Sequence, residues 1–142
     1  MLKKKKDWDL NSLEETIKNF FFQKLQVLSV DLFGSFAENR ATEQSDVDIA
    51  IFCDPTNIPL GLELIDWREQ LSDILKKEVD LVCLNTVSPI IGMQVDQKRK
   101  NIFVKNNLQY SQYQMRLFSD YAELKELRAP MEKQILKRKY YD

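Results

Sequence analysis

Apolar residues recur along the chain with two different spacings, and these spacings predict the secondary structure. Between Leu13 and Leu25 they repeat every three or four positions, which is typical of an amphipathic helix. Similar spacing over 60–77 predicts a second helix with one apolar face. Short apolar and β-branched segments, typical of strands, occupy the residues 27–33, 46–53 and 78–84.

The helix ends and the C-terminal third carry more local signals. Ser12 followed by Glu15 has the spacing of a capping box, and Ser88-Pro89 is typical of a helix start. A short edge strand is predicted over 102–104. From residue 108 the sequence is helical to about residue 128, and Pro130 is expected to begin a separate last helix.

The order of these elements indicates the fold class. Helix, strand, strand, helix, strand and helix, followed by a helical tail, predict a small mixed sheet of the α/β (α+β) class. We expect helices to pack on one face of that sheet. We also expect a core domain over residues 1–107 and a helical C-terminal extension over 108–142.

One segment carries the candidate chemistry. Gly34 and Ser35 directly follow the first strand, and after ten further residues Asp46-Val47-Asp48 opens the second. Side chains alternate along a strand, so the two aspartates are expected on one face, with the apolar residues on the other. Asp80 opens the third strand and joins them if that strand is a neighbour in register. Adjacent carboxylates repel each other unless they share a cation, and oxygen ligands suit Mg²⁺.

Backbone N–H groups and the Ser35 hydroxyl, at the turn after the first strand, are suited to holding a phosphate. A phosphate site beside a carboxylate pair that binds two metal ions, with no protein nucleophile, indicates in-line nucleotidyl transfer to an acceptor hydroxyl. The tight turn itself requires a residue such as Gly34, one of 3 glycines in the chain.

Composition removes several alternatives. The 142 residues contain no histidine, which excludes histidine-dependent triads, general bases and zinc sites. The two cysteines, Cys53 and Cys83, fit neither a zinc knuckle nor a disulfide framework. A net charge of -1 disfavours direct nucleic-acid binding. The first residues, with the lysine run Lys3–Lys6, lack a signal-peptide pattern and no stretch is apolar enough for a membrane, so we expect a cytoplasmic protein.

The Gly-Ser pair, the Asp-x-Asp and the later strand aspartate together resemble the polymerase β-like nucleotidyltransferase superfamily. The short chain resembles its minimal nucleotidyltransferase (MNT) branch, the antitoxins of HEPN–MNT toxin–antitoxin pairs. The resemblance implies that Gly34 and Ser35 bind the β- and γ-phosphates of ATP. It implies that Asp46 and Asp48 ligate two Mg²⁺ ions and that Asp80 completes the metal site and takes the acceptor proton.

The resemblance also implies the acceptor and the partner. AMP is expected to be attached to a tyrosine of a cognate HEPN ribonuclease toxin, which we expect to contact the C-terminal helices; homo- and hetero-oligomers are both open. Two alternatives remain: an antitoxin that acts by occlusion, and a small-molecule nucleotidyltransferase.

Family members commonly have Ala-Arg-Gly after Gly-Ser-Tyr/Phe, whereas this sequence has Ala37-Glu38-Asn39 after Gly34-Ser35-Phe36. Glu38 replaces the arginine, which weakens the positive charge near the phosphates, and Arg40 or a lysine of the tail would have to substitute. Asn39 replaces the glycine, a milder change because asparagine tolerates left-handed backbone conformations.

Overall fold

The structure is a computed structural model that describes the backbone of residues 9–141 and the side chains of residues 9–137. The run Lys3–Lys6, expected to be a solvated tail, lies outside the described residues. The elements in chain order are α1 (Leu10–Phe22), β1 (Val27–Phe33), α2 (Gly34–Ala37), β2 (Val47–Cys53), α3 (Gly61–Leu75), β3 (Val79–Cys83), α4 (Pro89–Lys98), β4 (Lys100–Val104) and α5 (Asn107–Tyr141).

The four strands form one mixed sheet in the order β3-β2-β1-β4. Strand β1 is antiparallel to both β2 and β4, whereas β2 and β3 are parallel. The parallel pair is joined by the crossover helix α3, as parallel neighbours require. The predicted fold class, a small mixed sheet with helices and a helical extension, is confirmed.

Helices cover both faces of the sheet, so the expectation that they pack on one face is wrong. On one face, Ile17 and Phe21 of α1 and Trp67 and Leu71 of α3 pack against β1 and β2. On the other face, α4 and α5 form a second apolar cluster, whose buried members are Ala50, Phe52, Leu84, Val95 and Tyr110. The reason lies in β2, which is apolar on both sides once it has passed Asp48. Both sides therefore have to be covered.

The helix starts agree only in part with the sequence signals. Ser88 is the N-cap of α4, and its hydroxyl accepts a hydrogen bond of 3.3 Å from the Ile91 N–H, as predicted. The capping box at Ser12 is wrong, because α1 already begins at Leu10. Leu10 packs against the core, so the earlier start buries more apolar surface than a start after Ser12 would.

Residues Asn107–Tyr141 form one continuous helix of 35 residues with Pro130 inside it. The expected break at Pro130 is therefore wrong. A proline removes the N–H that would bond to the carbonyl four residues earlier. At Pro130 the flanking side chains are exposed, so water can satisfy that carbonyl. Within residues 9–141, no helix combines the length and the apolar character needed to cross a membrane.

Candidate active site

The turn between β1 and α2 brings Gly34 against Asp48. Phe33, the last residue of β1, is paired with Asp48 on β2, so the chain turns directly beside that aspartate. Gly34 has a φ of 69°, in the left-handed region. A Cβ atom built on Gly34 would overlap the Asp48 carboxylate. Backbone conformation and space therefore both require glycine at this position.

The three sequence-predicted aspartates lie at one end of the parallel strand pair. Asp48 of β2 and Asp80 of β3 are partners in the β2–β3 register, so they stand side by side on the same face. Asp46 lies in the loop immediately before β2, so the expectation that it begins this strand is wrong, and strand alternation does not set its face. Asp46 and Asp80 are exposed, whereas Asp48 is partly buried. The register pairing that the sequence left conditional is therefore present.

The pKa of Asp48 is raised above its ordinary value, first by burial and then by the negative charges of Asp80 and Asp46. Ionised Asp48 is thus held in an unfavourable field, which a bound cation would relieve. Oxygen donors of this kind fit a hard divalent cation. In the described part of the chain, no three acidic or thiol side chains converge on a single point as a preformed chelate.

The segment after the turn is fixed to the Gly34–Ser35 pair by its backbone. The N–H of Glu38 donates to the Gly34 carbonyl at 3.1 Å, and the N–H of Arg40 donates to the Ser35 carbonyl at 2.9 Å. Asn39, between them, has a φ of 57°. It therefore adopts the left-handed backbone conformation that asparagine tolerates. Further along, Lys77 Nζ donates to the Glu43 carbonyl at 2.5 Å and ties this loop to the end of α3.

A buried polar network behind the site was not identified in the sequence. Asp31, in the middle of β1, is fully buried. It pairs with Ala50, two residues after Asp48 on β2, so it lies on the sheet face that carries Asp48. Its carboxylate accepts hydrogen bonds from Tyr110 Oη at 2.9 Å, Asn101 Nδ2 at 2.8 Å and Arg99 Nη1 at 3.2 Å. Burial raises the pKa of Asp31, and the three donors oppose that rise. The signal available in the sequence was a carboxylate inside an otherwise apolar strand.

The network joins three parts of the fold. Asp31 belongs to β1, Asn101 to β4 and Tyr110 to the first turns of α5. Arg99 connects α4 to β4 and also lies 3.7 Å from Asp96. The start of α5 and the end of α4 are therefore anchored to the strand that leads into Gly34.

Comparisons with known proteins agree with this geometry. The sequence model of the family described as "Polymerase beta, Nucleotidyltransferase" matches residues 15–108. A Methanocaldococcus jannaschii protein, MJ0126, provisionally named a protein adenylyltransferase, is 36% identical over 77 residues, which cover 53% of this chain and 76% of that one. Protein adenylyltransferase MntA of Thermococcus cleftensis is 31% identical over 87 residues, 61% of this chain and 86% of that one.

Solved structures share the fold over a longer range. A chain from a crystal structure of a toxin–antitoxin with AMP-PNP superposes with a TM-score of 0.77 at 21% identity, covering 87% of this chain and 98% of that one. A chain from the tri-AMPylated Shewanella oneidensis HEPN toxin in complex with MNT antitoxin gives a TM-score of 0.75 at 19% identity, covering 90% and 99%. At such identities these matches establish the fold. The family match over residues 15–108, with the adenylyltransferase relatives, shows that the chain belongs to the polymerase β nucleotidyltransferase family and is a nucleotidyltransferase.

Proposed function

We propose that this nucleotidyltransferase is a protein adenylyltransferase antitoxin that transfers AMP from ATP to a tyrosine hydroxyl of a cognate HEPN ribonuclease toxin. The observation that carries the proposal is the placement of Asp48 between Gly34 and Asp80. It puts a turn suited to phosphate next to carboxylates suited to cations. The names of the relatives, protein adenylyltransferases, and the toxin–antitoxin neighbours support the choice of acceptor.

In this proposal the site residues divide into a turn that binds phosphate and a set of carboxylates that binds cations. The Gly34 and Ser35 backbone, with the Ser35 hydroxyl, binds the outer phosphates of ATP. Asp46 and Asp48 hold two Mg²⁺ ions, and Asp80 completes the cation site from the neighbouring strand. When bound, these ions neutralise the charge that develops on the phosphate oxygens. The raised pKa of Asp48 supports this assignment, because the field that raises it favours cation binding.

The reaction is a single displacement at the α-phosphorus. The tyrosine oxygen forms a bond to that phosphorus while the bond to the oxygen that bridges to the β-phosphate breaks. Pyrophosphate leaves, and the hydroxyl proton passes to the Asp80 carboxylate. Asp80 is exposed at the edge of the site, where an acceptor approaching from solvent would reach it. Positioning and electrostatic stabilisation supply the catalysis, since no protein nucleophile takes part.

The partner is proposed to contact α5. Tyr110, Tyr113 and Leu117 lie on one side of this helix and pack on the body of the protein. At 3.6 residues per turn the same side continues beyond the body through Leu124, Leu127, Met131 and Ile135. Leu127, Met131 and Ile135 are each more than half exposed. We call Leu124, Leu127, Met131 and Ile135 the distal stripe; a helical partner would cover it, as apolar anchors at such spacing are typical of helix docking.

Neutralisation in cells tests the proposal against occlusion. The product of the gene beside that of this chain, the expected toxin, is expressed together with either the wild-type chain or Asp46→Ala. Transfer predicts that the wild type restores growth and that the variant, still co-purifying with the toxin, does not. Growth restored equally by both would favour an antitoxin that acts by occlusion. A chain that neither binds nor protects would favour a small-molecule acceptor.

A further inference from the structure

Glu38 gathers two cationic side chains around the Gly34–Ser35 turn. Its carboxylate forms ion pairs with Arg40 Nη2 at 2.5 Å and with Lys98 Nζ at 3.5 Å. The three charges sum to a net positive charge. From the sequence, Glu38 was expected to weaken the positive charge near the phosphates. In the structure, its carboxylate instead pairs with Lys98 of α4, which is distant in sequence.

The backbone places this cluster next to the candidate phosphate site. Glu38 and Arg40 are both hydrogen-bonded through their N–H groups to the carbonyls of Gly34 and Ser35. Lys98 is the last residue of α4, and Arg99, directly after it, is paired with buried Asp31 at 3.2 Å. That buried pair fixes the end of α4. Because Lys100 pairs with Leu32 of β1, Lys98 is held near the end of that strand, where the Gly34–Ser35 turn begins.

The two cations remain open to solvent. The side chains of Arg40 and Lys98 are 65% and 64% exposed, whereas that of Glu38 is 27% exposed. The pKa of Glu38 is lowered, first by the hydrogen bond from Arg40 and also by the charge of Lys98, so it stays ionised and keeps both in place. As one carboxylate cannot use all the donors of a guanidinium and an ammonium, the remainder can bind an anion.

We propose that Arg40 and Lys98, held together by Glu38, bind the β- and γ-phosphates of the nucleoside triphosphate and the pyrophosphate that leaves. This assignment rests on the proposed function and names two further residues that bind its substrate. The carboxylate side of the site, with Asp46, Asp48 and Asp80, cannot attract phosphate by itself. Charge-assisted hydrogen bonds from the opposite side supply that attraction and favour the charge that builds up on the leaving group.

Nucleotide binding without any acceptor tests the assignment. The probe is adenosine 5′-(α,β-methylene)triphosphate with Mg²⁺, which cannot be transferred, and AMP is titrated in parallel by calorimetry. Arg40→Ala and Lys98→Ala should each weaken binding of the triphosphate about tenfold and leave AMP affinity unchanged. The control is Lys100→Ala, because Lys100 is 44% exposed and is paired instead with Glu14 of α1 at 2.6 Å.

Each other outcome overturns the assignment. If both variants bind the triphosphate as tightly as the wild type, the cations do not contact it and the proposed function stands without them. If AMP and triphosphate weaken equally, the substitutions disturb the whole site. A wild-type chain that binds no triphosphate would refute both this assignment and the proposed function.

Discussion

The Asp48 carboxylate occupies the space that a side chain at Gly34 would need. We expect Gly34→Ala to abolish transfer, because the added methyl group displaces the carboxylate that is proposed to hold the cations. The left-handed backbone adds a cost of about 1–2 kcal/mol to folding for any residue with a Cβ. Urea unfolding and a transfer assay on the same preparation check both effects.

Gly61→Ala is the matched control. A Cβ at Gly61, the first residue of α3, meets no atom within 4 Å, and its φ is not positive. Alanine is a better helix former than glycine, so this variant should be as stable as the wild type or more stable by up to about 1 kcal/mol. Equal losses in both glycine variants would contradict the role given to Gly34.

Asp48→Asn should separate stability from activity. The pKa of Asp48 is raised in the folded chain, so its ionised form opposes folding. That penalty is absent below the ordinary aspartate pKa, grows as the pH rises toward the folded value, and is complete above it. At pH 7 the variant should therefore melt at a higher temperature than the wild type while losing transfer. At pH values below the ordinary aspartate pKa the two melting temperatures should converge.

Magnesium gives the same site a second readout. Added Mg²⁺ should raise the melting temperature of the wild type, because a ligand that binds only the folded state stabilises it. The same addition should have little effect on Asp48→Asn, which lacks the central carboxylate. An equal rise in both proteins would place the cation elsewhere.

Tyr110→Phe should destabilise the chain by about 2 kcal/mol, because buried Asp31 loses the hydrogen bond from the tyrosine hydroxyl. Tyr113→Phe is the control: Tyr113 packs against Tyr110 with ring centroids 5.9 Å apart but lies outside the Asp31 network. Urea unfolding of both variants measures the difference. If Tyr110→Phe and Tyr113→Phe are equally stable, the network does not anchor α5.

Met131→Glu tests the partner surface on the distal stripe. Met131 is 64% exposed, so the substitution should leave the melting temperature unchanged. If the partner covers this stripe, a charge there should weaken toxin binding at least about tenfold, as for an interface anchor. Lys133→Glu, on the opposite side of α5, should bind the toxin normally. Both variants should bind ATP like the wild type.

The local patterns were sufficient for most of the fold. The strands Val27–Phe33 and Val47–Cys53, the helix start at Ser88 and the proximity of Asp48 to Asp80 all follow from periodicity, capping and alternation. These features depend on residues close in sequence or on the register between β2 and β3. The tight turn at Gly34 was also predictable, because a glycine directly after a buried strand is typical of a turn that other residues do not tolerate.

The remaining features depend on contacts between distant segments. Asp31 appears as an anomaly in an apolar strand until α5 brings Tyr110 to it, 79 residues later. In the sequence, Glu38 is expected to weaken phosphate binding, because its ion pair with Lys98 of α4 joins residues that are distant in sequence. The second layer of helices covers Ala50 and Phe52 of β2. Their burial was not predictable locally, because it depends on where α4 and α5 pack. Pro130 stays inside α5 because the helix is exposed there and water can bond to the carbonyl left without a partner. The local sequence pattern does not predict that exposure.

The most direct measurement is the intact mass of the toxin after incubation with this chain, ATP and Mg²⁺. We predict a gain of one or more AMP units on the toxin with the wild-type chain, located at a tyrosine by peptide mapping, and no gain with Asp46→Ala. Asp46 is exposed and outside the core, so that variant should remain folded. An unmodified toxin in a stable complex with the wild-type chain, under conditions where ATP binds, would contradict the account.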